Sequence, residues 1–208
     1  MANGLPLSPL EILHLYCRML DRFFGMYLDA CTGFKLHAQD MAMLAARMPS
    51  KSRVQPILFI TAETNDPNDL DATYNHSETV DRIIDRNRPD GENQTLLAHS
   101  LIIFIYSIWD TQIRSAYAKS LNIAPHDVKS DAMGDLRLYR NAITHRNLKL
   151  QAPTKLFPFV DVGMVITLTS EQVNLMLSMI FDDLAQMHEG LTGERVSLIF
   201  KRPINGPT

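Results

Sequence analysis

Three side chains that could carry out chemistry together lie within six residues of one another: Arg140, Asn141 and His145. A guanidinium can hold a phosphate with two hydrogen bonds and stabilise the charge that builds on it. An imidazole titrates near neutral pH, so it can move the proton of a ribose hydroxyl or of a leaving oxygen. Asn141 precedes His145 by four residues, so on a helix the amide can orient the imidazole or accept a hydrogen bond from it. This combination suits RNA cleavage without a metal.

The segment resembles the motif of the HEPN (higher eukaryotes and prokaryotes nucleotide-binding) superfamily. That motif is Arg, then a polar residue that is often Asn, then His after a gap of four to six residues; here the gap is four and the polar residue is Asn141. The resemblance covers about residues 94–190 and implies an all-α bundle with the motif on its third core helix or just past it. It also implies an endoribonuclease whose catalytic residues are Arg140, Asn141 and His145. The RNA fragments that it produces would carry a 2′,3′-cyclic phosphate and a 5′-hydroxyl.

The same resemblance implies the partners of the chain. HEPN domains typically pair with their motifs facing one another across a two-fold axis, which implies a homodimer acting on RNA. Members often work in toxin–antitoxin systems or antiviral defence, so an antitoxin or another regulatory protein is a further expected partner.

The spacing of the motif sets a geometric condition. A helix turns about 100° per residue, so positions five apart, such as Arg140 and His145, point about 140° away from each other. One regular helix therefore does not bring both side chains to one phosphate easily. Either the helix loosens near His145, or a second copy of the chain completes the site.

Charge is distributed unevenly along the chain, although the net charge is only −3. Residues 136–160 contain no acid and five cations: Arg137, Arg140, Arg146, Lys149 and Lys155. Residues 61–92 contain nine acids against three arginines. The motif lies inside the basic stretch, as an anion site requires, and we assign RNA phosphate binding to Arg137, Arg146 and Lys149. The alternative is a solvated helix face.

Two further residues are candidates for supporting the site. Asp110 could position His145 or Arg140, and Tyr139 could stack on a base of single-stranded RNA. Each also has an ordinary structural interpretation: Asp110 as the partner of a salt bridge, with Arg140 for example, and Tyr139 as a core residue.

Periodicity predicts one all-α domain over residues 1–208. Two capping boxes, Ser8 with Glu11 and Thr169 with Gln172, mark the starts of its first and last helices. A long N-terminal helical extension is expected over 8–48, with a kink or break near Gly25 or Gly33, followed by an acidic, mostly loop segment over 49–93. Within that segment, 54–61 is a candidate strand and 77–86 a candidate short helix. The core, about 94–190, should contain three helices, over 94–121, 130–147 and 170–190. A short β-hairpin or extended loop over 151–169 should precede the last of them.

Several other classes of site are disfavoured. The seven histidines show no ligand spacing, and the nine glycines form neither a phosphate-binding loop nor a dinucleotide motif. We therefore expect no metal and no cofactor. Cys17 and Cys31 lie too far apart on one predicted helix to bridge, which indicates reduced thiols and a cytoplasmic protein. No signal peptide is expected, and the apolar run 96–109 indicates a buried core helix rather than a membrane contact.

Three interpretations remain open from the sequence. The first is a metal-independent HEPN-type endoribonuclease. The second is a non-catalytic HEPN module that binds nucleotide or RNA, or that only mediates dimerisation. The third is a structural helical protein whose motif is accidental, and burial of Arg140 against an acid would support it.

Overall fold

The computed structural model describes residues 7–61 and 73–198, with side chains described outside 57–75. The fold is all-α, as predicted, and opens with a long N-terminal helix. The elements, in chain order, are α1 (Pro9–Arg47), α2 (Ser50–Arg53), β1 (Pro56–Thr61), β2 (Thr73–Thr79), α3 (Val80–Asn87), α4 (Glu92–Ile108), a π-helical turn (Trp109–Ile113), α5 (Arg114–Ser120), a 3₁₀ turn (Pro125–Asp127), α6 (Asp131–His145) and α7 (Ser170–Thr192).

Helix α1 begins as its sequence predicts and does not break where a break was expected. Glu11 accepts hydrogen bonds from the backbone N–H and the hydroxyl of Ser8, at 2.8 Å each, and Ser8 Oγ accepts from Glu11 N. These contacts form the predicted capping box. The helix is continuous through Gly25 and Gly33, so of the expected kink or break the chain shows no break at these glycines.

The chain divides into two compact units, which α1 and α4 both enter. One unit comprises Asp29–Leu96. Its two strands pair antiparallel in the register Pro56↔Thr79, with an irregularity between Phe59 and Ile60. The strand β1 agrees with the candidate strand 54–61. The predicted short helix starts later than expected, because Thr79 caps α3 and the residues before it belong to β2.

The second unit comprises Met1–Leu28 and Leu97–Thr208 and contains the motif. Its core is built on α4, α6, α7 and the first part of α1, where fully buried side chains such as Leu13, Ile102 and Leu136 lie. Tyr16 of α1 donates a hydrogen bond to the Ile105 carbonyl at 2.9 Å. These contacts fix the helices that carry the site.

Residues Glu92–Ser120 form one continuous helical run that passes from α4 through the π turn into α5. By length and composition this run could span a membrane, whereas the apolar run 96–109 alone is too short. In the structure, 44% of its most apolar window is buried. Within the run, buried His99 is hydrogen-bonded to the Ile166 carbonyl at 2.8 Å, and Trp109 packs against Tyr16. A core helix has contacts of this kind.

Two predicted features near the last helix can be compared directly. The segment before α7 is an extended loop closed by one antiparallel bridge, Lys149↔Val165, in agreement with the predicted hairpin or loop. Thr169 and Gln172 form the predicted capping box of α7. The helix does not end at Gly190, however. It continues to Thr192, and Gly193 terminates it in a left-handed conformation with φ of 76°.

Candidate functional site

Helix α6 carries the whole motif, and Ser130 defines its start. Ser130 caps it by accepting a hydrogen bond from Met133 N. Ala132, Leu136, Tyr139 and Ala142 are buried and recur every three or four residues, so they form the inward face. On the other side of the helix, Arg137 and His145 are exposed, and Arg140 and Asn141 are half-buried.

Arg140 and Asn141 are joined in the structure. Arg140 Nη1 donates a hydrogen bond to Asn141 Oδ1 at 3.1 Å. A guanidinium has only donors, so it fixes the orientation of the amide, with the NH₂ group of Asn141 left to donate elsewhere. The Nε of Arg140 is buried and has no hydrogen-bond partner in the described part of the chain. The other Nη donors of Arg140 and the NH₂ group of Asn141 also have no partner among the described residues, and paired donors of this kind suit an oxyanion.

His145 is the last residue of α6 and is exposed. The helix is regular up to this residue: Thr144 Oγ1 donates to the Arg140 carbonyl at 2.8 Å, and Arg146 N donates to the Ala142 carbonyl at 3.2 Å. The chain leaves the helix only after His145, where Asn147 and Leu148 have positive φ. The helix does not loosen between Arg140 and His145, so the offset of about 140° between the two side chains remains.

The proposed phosphate-binding residues lie on both sides of the motif. Arg137 is exposed one turn before Arg140, and Arg146 and Lys149 are exposed just after His145. Among the described residues, no carboxylate forms an ion pair with any of these four cations. The fifth cation of the basic stretch, Lys155, differs, because its ammonium group lies 2.6 Å from Asp131.

Asp110 does not contact the motif. Its carboxylate forms a salt bridge of 3.1 Å with Arg114, one turn later in the chain. Asp110 is therefore a salt-bridge residue in this structure and does not position His145 or Arg140. Arg140 is therefore not paired with Asp110, so this contact gives no support to the accidental-motif interpretation.

Tyr139 belongs to the core. Its side chain is fully buried, and its hydroxyl donates to the Phe157 carbonyl at 3.3 Å. Burial raises the pKa of this phenol well above its ordinary value, and the nearby carboxylate of Asp135 adds to the effect. The alternative role for Tyr139, stacking on a base, is not compatible with this position.

Sequence reasoning missed Tyr106, which lies among the charged groups of the site. Burial raises the pKa of Tyr106, and the Asp110 carboxylate adds to the effect, whereas the guanidinium groups of Arg137, Arg114 and Arg140 oppose it. The phenol is therefore near three arginines from two different helices. Its hydroxyl makes no hydrogen bond to any residue that the structure describes.

The π-helical turn explains how two of these groups come together. Tyr106 and Arg114 are eight residues apart and would be offset by about 80° on a regular α-helix. A π turn underwinds the helix and reduces that offset, and such turns are frequent at functional sites. The residues before Trp109 are apolar on nearly all sides of the helix. Their pattern in the sequence therefore could not show that the direction of the side chains shifts at the π turn.

No three His, Cys, Asp or Glu side chains within the described ranges 7–61 and 73–198 form a group that could hold a metal ion. Cys17 and Cys31 are both free thiols in the structure. Burial raises the pKa of the Cys17 thiol to about 12.

Comparisons of the chain with models of known protein families, with curated proteins and with solved structures give no match.

Proposed function

We propose that the chain is a metal-independent endoribonuclease of the HEPN type. The observation that carries the proposal is that one regular helix, α6, carries the hydrogen-bonded pair Arg140 and Asn141 and, at its last residue, the exposed imidazole of His145. Arg140 is hydrogen-bonded to Asn141 at 3.1 Å and is paired with no described carboxylate. Its positive charge is therefore available to a phosphate.

The proposed reaction is an attack of the ribose 2′-oxygen on the adjacent phosphorus. The new bond joins the 2′-oxygen to phosphorus, and the bond between phosphorus and the 5′-oxygen breaks. His145 removes the proton of the 2′-hydroxyl or supplies a proton to the departing 5′-oxygen. Arg140 holds the non-bridging oxygens and stabilises their developing charge, and the NH₂ group of Asn141 donates to the same phosphate.

The proposed site is composite and lies between two copies of the chain. Arg140 and His145 diverge by about 140° and are about 7.5 Å apart along the helix axis. A two-fold axis beside this face of α6 would place Arg140 of one copy near His145 of the other. The proposal of a dimer is supported by helix α6, which extends to His145 and so does not bring Arg140 and His145 together within one copy.

A second candidate function is binding without cleavage, by a HEPN module that holds nucleotide or RNA or mediates dimerisation. One observation favours it: His145 makes no hydrogen bond or ion pair to any described residue. General bases are usually oriented by a neighbouring group. An imidazole that nothing orients could help to hold an anion without transferring a proton.

The biological setting rests on the HEPN resemblance alone. Members of this family often act as toxins or antiviral effectors. We propose the same setting here, with RNA as substrate, an antitoxin or other regulatory protein as partner, and a cytoplasmic location.

The ends of the RNA products test the reaction class. Purified protein should cleave mixed RNA into fragments with 2′,3′-cyclic phosphate and 5′-hydroxyl ends, at the same rate with and without EDTA. Fragments with 5′-phosphate ends, or loss of cleavage in EDTA, would exclude the proposed mechanism. RNA binding without cleavage would instead support the second candidate.

A further inference from the structure

The loop that follows the motif carries a tight turn. Met164 N donates to the Asp161 carbonyl at 3.0 Å and closes the turn over residues 161–164. Gly163 is its third residue and has φ of 85°, the left-handed conformation that a type II turn requires at this position. Gly163 N also donates to the Leu150 carbonyl at 2.7 Å, which ties the turn to the chain that leaves α6.

Three apolar side chains in and just after this turn are exposed. Val162, Met164 and Val165 have exposed fractions of 52%, 61% and 43%, and we call these three residues the apolar tip. A single exposed apolar side chain is ordinary on a protein surface, but three within four residues form a small apolar patch. Because the removal of apolar surface from water is favourable, the apolar tip favours contact with another apolar surface.

Two cations lie beside the apolar tip. Lys149 and Val165 face each other in an isolated antiparallel bridge, and its hydrogen bonds are made by the residues on either side of the pair. Side chains of such a pair lie on the same face, with Cβ atoms roughly 4.5–5.5 Å apart. The Arg146 carbonyl accepts a hydrogen bond from Lys149 N at 3.0 Å, so the second cation is close in the chain. Both cations are exposed, and neither forms an ion pair with any residue that the structure describes.

The charge around the apolar tip is positive in balance. Residues 146–165 contain one acid, Asp161, against three cations. The third of these cations, Lys155, is neutralised by Asp131 at 2.6 Å. Asp161 therefore opposes two unpaired cations, and the surface favours an anionic partner.

A small apolar tip with cations beside it is suited to the surface of a lipid bilayer. A stable protein partner covers roughly 800 Å² on each side and has a broad apolar centre, whereas the apolar tip offers only three side chains. An anionic bilayer accepts a few apolar side chains at the boundary of its acyl chains, and its headgroups attract adjacent Lys and Arg residues.

We propose that this surface binds the anionic face of a lipid bilayer, with the apolar tip at the acyl boundary and with Arg146 and Lys149 against the headgroups. The attachment is peripheral and reversible, because so small an apolar area binds only weakly on its own. The inference does not depend on RNA cleavage. Since the same two cations are assigned to RNA phosphates, RNA and the bilayer compete for them.

Sedimentation of the full chain with lipid vesicles tests the proposal. Vesicles of phosphatidylcholine with about one third phosphatidylglycerol should bind the protein, and vesicles of phosphatidylcholine alone should bind it roughly tenfold more weakly. Val162→Ser/Met164→Gln removes apolar contacts, and Arg146→Glu/Lys149→Glu reverses the charge. Each double variant should bind the anionic vesicles roughly tenfold or more weakly than the parent.

Two matched controls make the same changes elsewhere on the surface. Met43→Gln/Leu175→Gln replaces apolar side chains that are 59% and 49% exposed, and Arg22→Glu/Lys119→Glu reverses two exposed charges. Both controls should bind the anionic vesicles like the parent. Thermal melting verifies that every variant is folded.

Insertion of the apolar tip has its own spectroscopic readout in Val162→Trp. The natural Trp109 is 2% exposed and is therefore shielded from the lipid. The fluorescence of the introduced indole should shift to shorter wavelength with anionic vesicles and should be quenched by brominated acyl chains.

Four results would overturn the proposal. One is an absence of vesicle binding by the parent, and loss of RNA binding in Val162→Ser/Met164→Gln would then assign the surface to RNA. Another is equal vesicle binding by the parent and both loop variants, which would place the membrane contact elsewhere, as on the apolar run Glu92–Ser120. Weaker binding in the matched controls to the same degree would show a general effect of charge or apolar area. Vesicle binding without a fluorescence shift in Val162→Trp would show that the cations alone hold the vesicle.

Discussion

Arg140 and Asn141 are consecutive residues whose side chains are tied together, with Nη1 of the guanidinium 3.1 Å from Oδ1 of the amide. The contact holds both groups on the solvent side of α6. It also directs the NH₂ group of Asn141 away from Arg140, because a guanidinium can only donate.

Replacing Asn141 should reveal whether this pair acts on a phosphate. Asn141→Leu removes one donor to the phosphate and frees Arg140, so we expect RNA cleavage to slow by roughly tenfold or more. Asn141→Asp retains the acceptor for Arg140 but adds a negative charge, so RNA binding should weaken as well. Initial rates over a range of RNA concentrations separate the two effects. Asn174→Leu, at an exposed position on α7, is the control and should cleave like the parent.

Mixing two inactive variants tests whether the site is composite. If Arg140 of one chain and His145 of the other serve the same phosphate, Arg140→Ala and His145→Ala chains should recover part of the parent activity when combined. The mixture contains heterodimers with one intact site. Brief partial unfolding and refolding of the mixture promotes exchange of subunits. A monomer by light scattering at micromolar concentration that still cleaves RNA would contradict the composite site.

The cations after the motif should contribute to RNA affinity through phosphate contacts. Arg146→Glu/Lys149→Glu should weaken binding to any RNA sequence. The slope of log affinity against log salt should fall by about 1.4, since each contact to a single strand contributes about 0.7. Arg22→Glu/Lys119→Glu makes the same change of charge at exposed positions on α1 and α5. If both pairs of substitutions weaken binding equally, the effect is one of net charge and the RNA lies elsewhere.

The loop after the motif depends on one buried carboxylate. Asp135 is 2% exposed and accepts hydrogen bonds from the backbone N–H groups of Lys155, Leu156 and Phe157, at 2.6 to 3.1 Å. Asp135→Ala leaves these donors without partners, so we expect the free energy of unfolding to fall by about 2–4 kcal/mol. Urea denaturation measures the change. Asp161→Ala, an exposed carboxylate in the same loop, should change it by less than about 0.5 kcal/mol.

The sequence predicted those features that depend on neighbouring residues. The capping residues Ser8, Ser130 and Thr169 begin helices in the structure, because each cap is a contact between residues three apart. The position of the motif on α6 was predictable for the same reason, since the inward face is periodic.

Features that depend on tertiary contacts could not be predicted in this way. Tyr106 and Arg114 line one pocket together with Lys129 and Arg137, and no local pattern specifies that arrangement. The sequence places Lys129 just before the Ser130 cap and Arg137 two turns later, which indicates that the first half of α6 is basic. It does not identify Tyr106 and Arg114 as the residues that line the same pocket. The end of α7 at Gly193 rather than Gly190 was likewise undetermined, because either glycine can terminate a helix.

The central claim is that Arg140 and His145 catalyse RNA cleavage, and the most direct measurement is the single-turnover cleavage rate of each alanine variant. His145→Ala and Arg140→Ala should each cleave RNA on the order of 10²–10⁴ times more slowly than the parent, because each removes a group that acts in the transition state. His37→Ala, which removes an exposed imidazole from α1, should cleave at the parental rate. A folded His145→Ala or Arg140→Ala variant that cleaves RNA as fast as the parent would contradict the account.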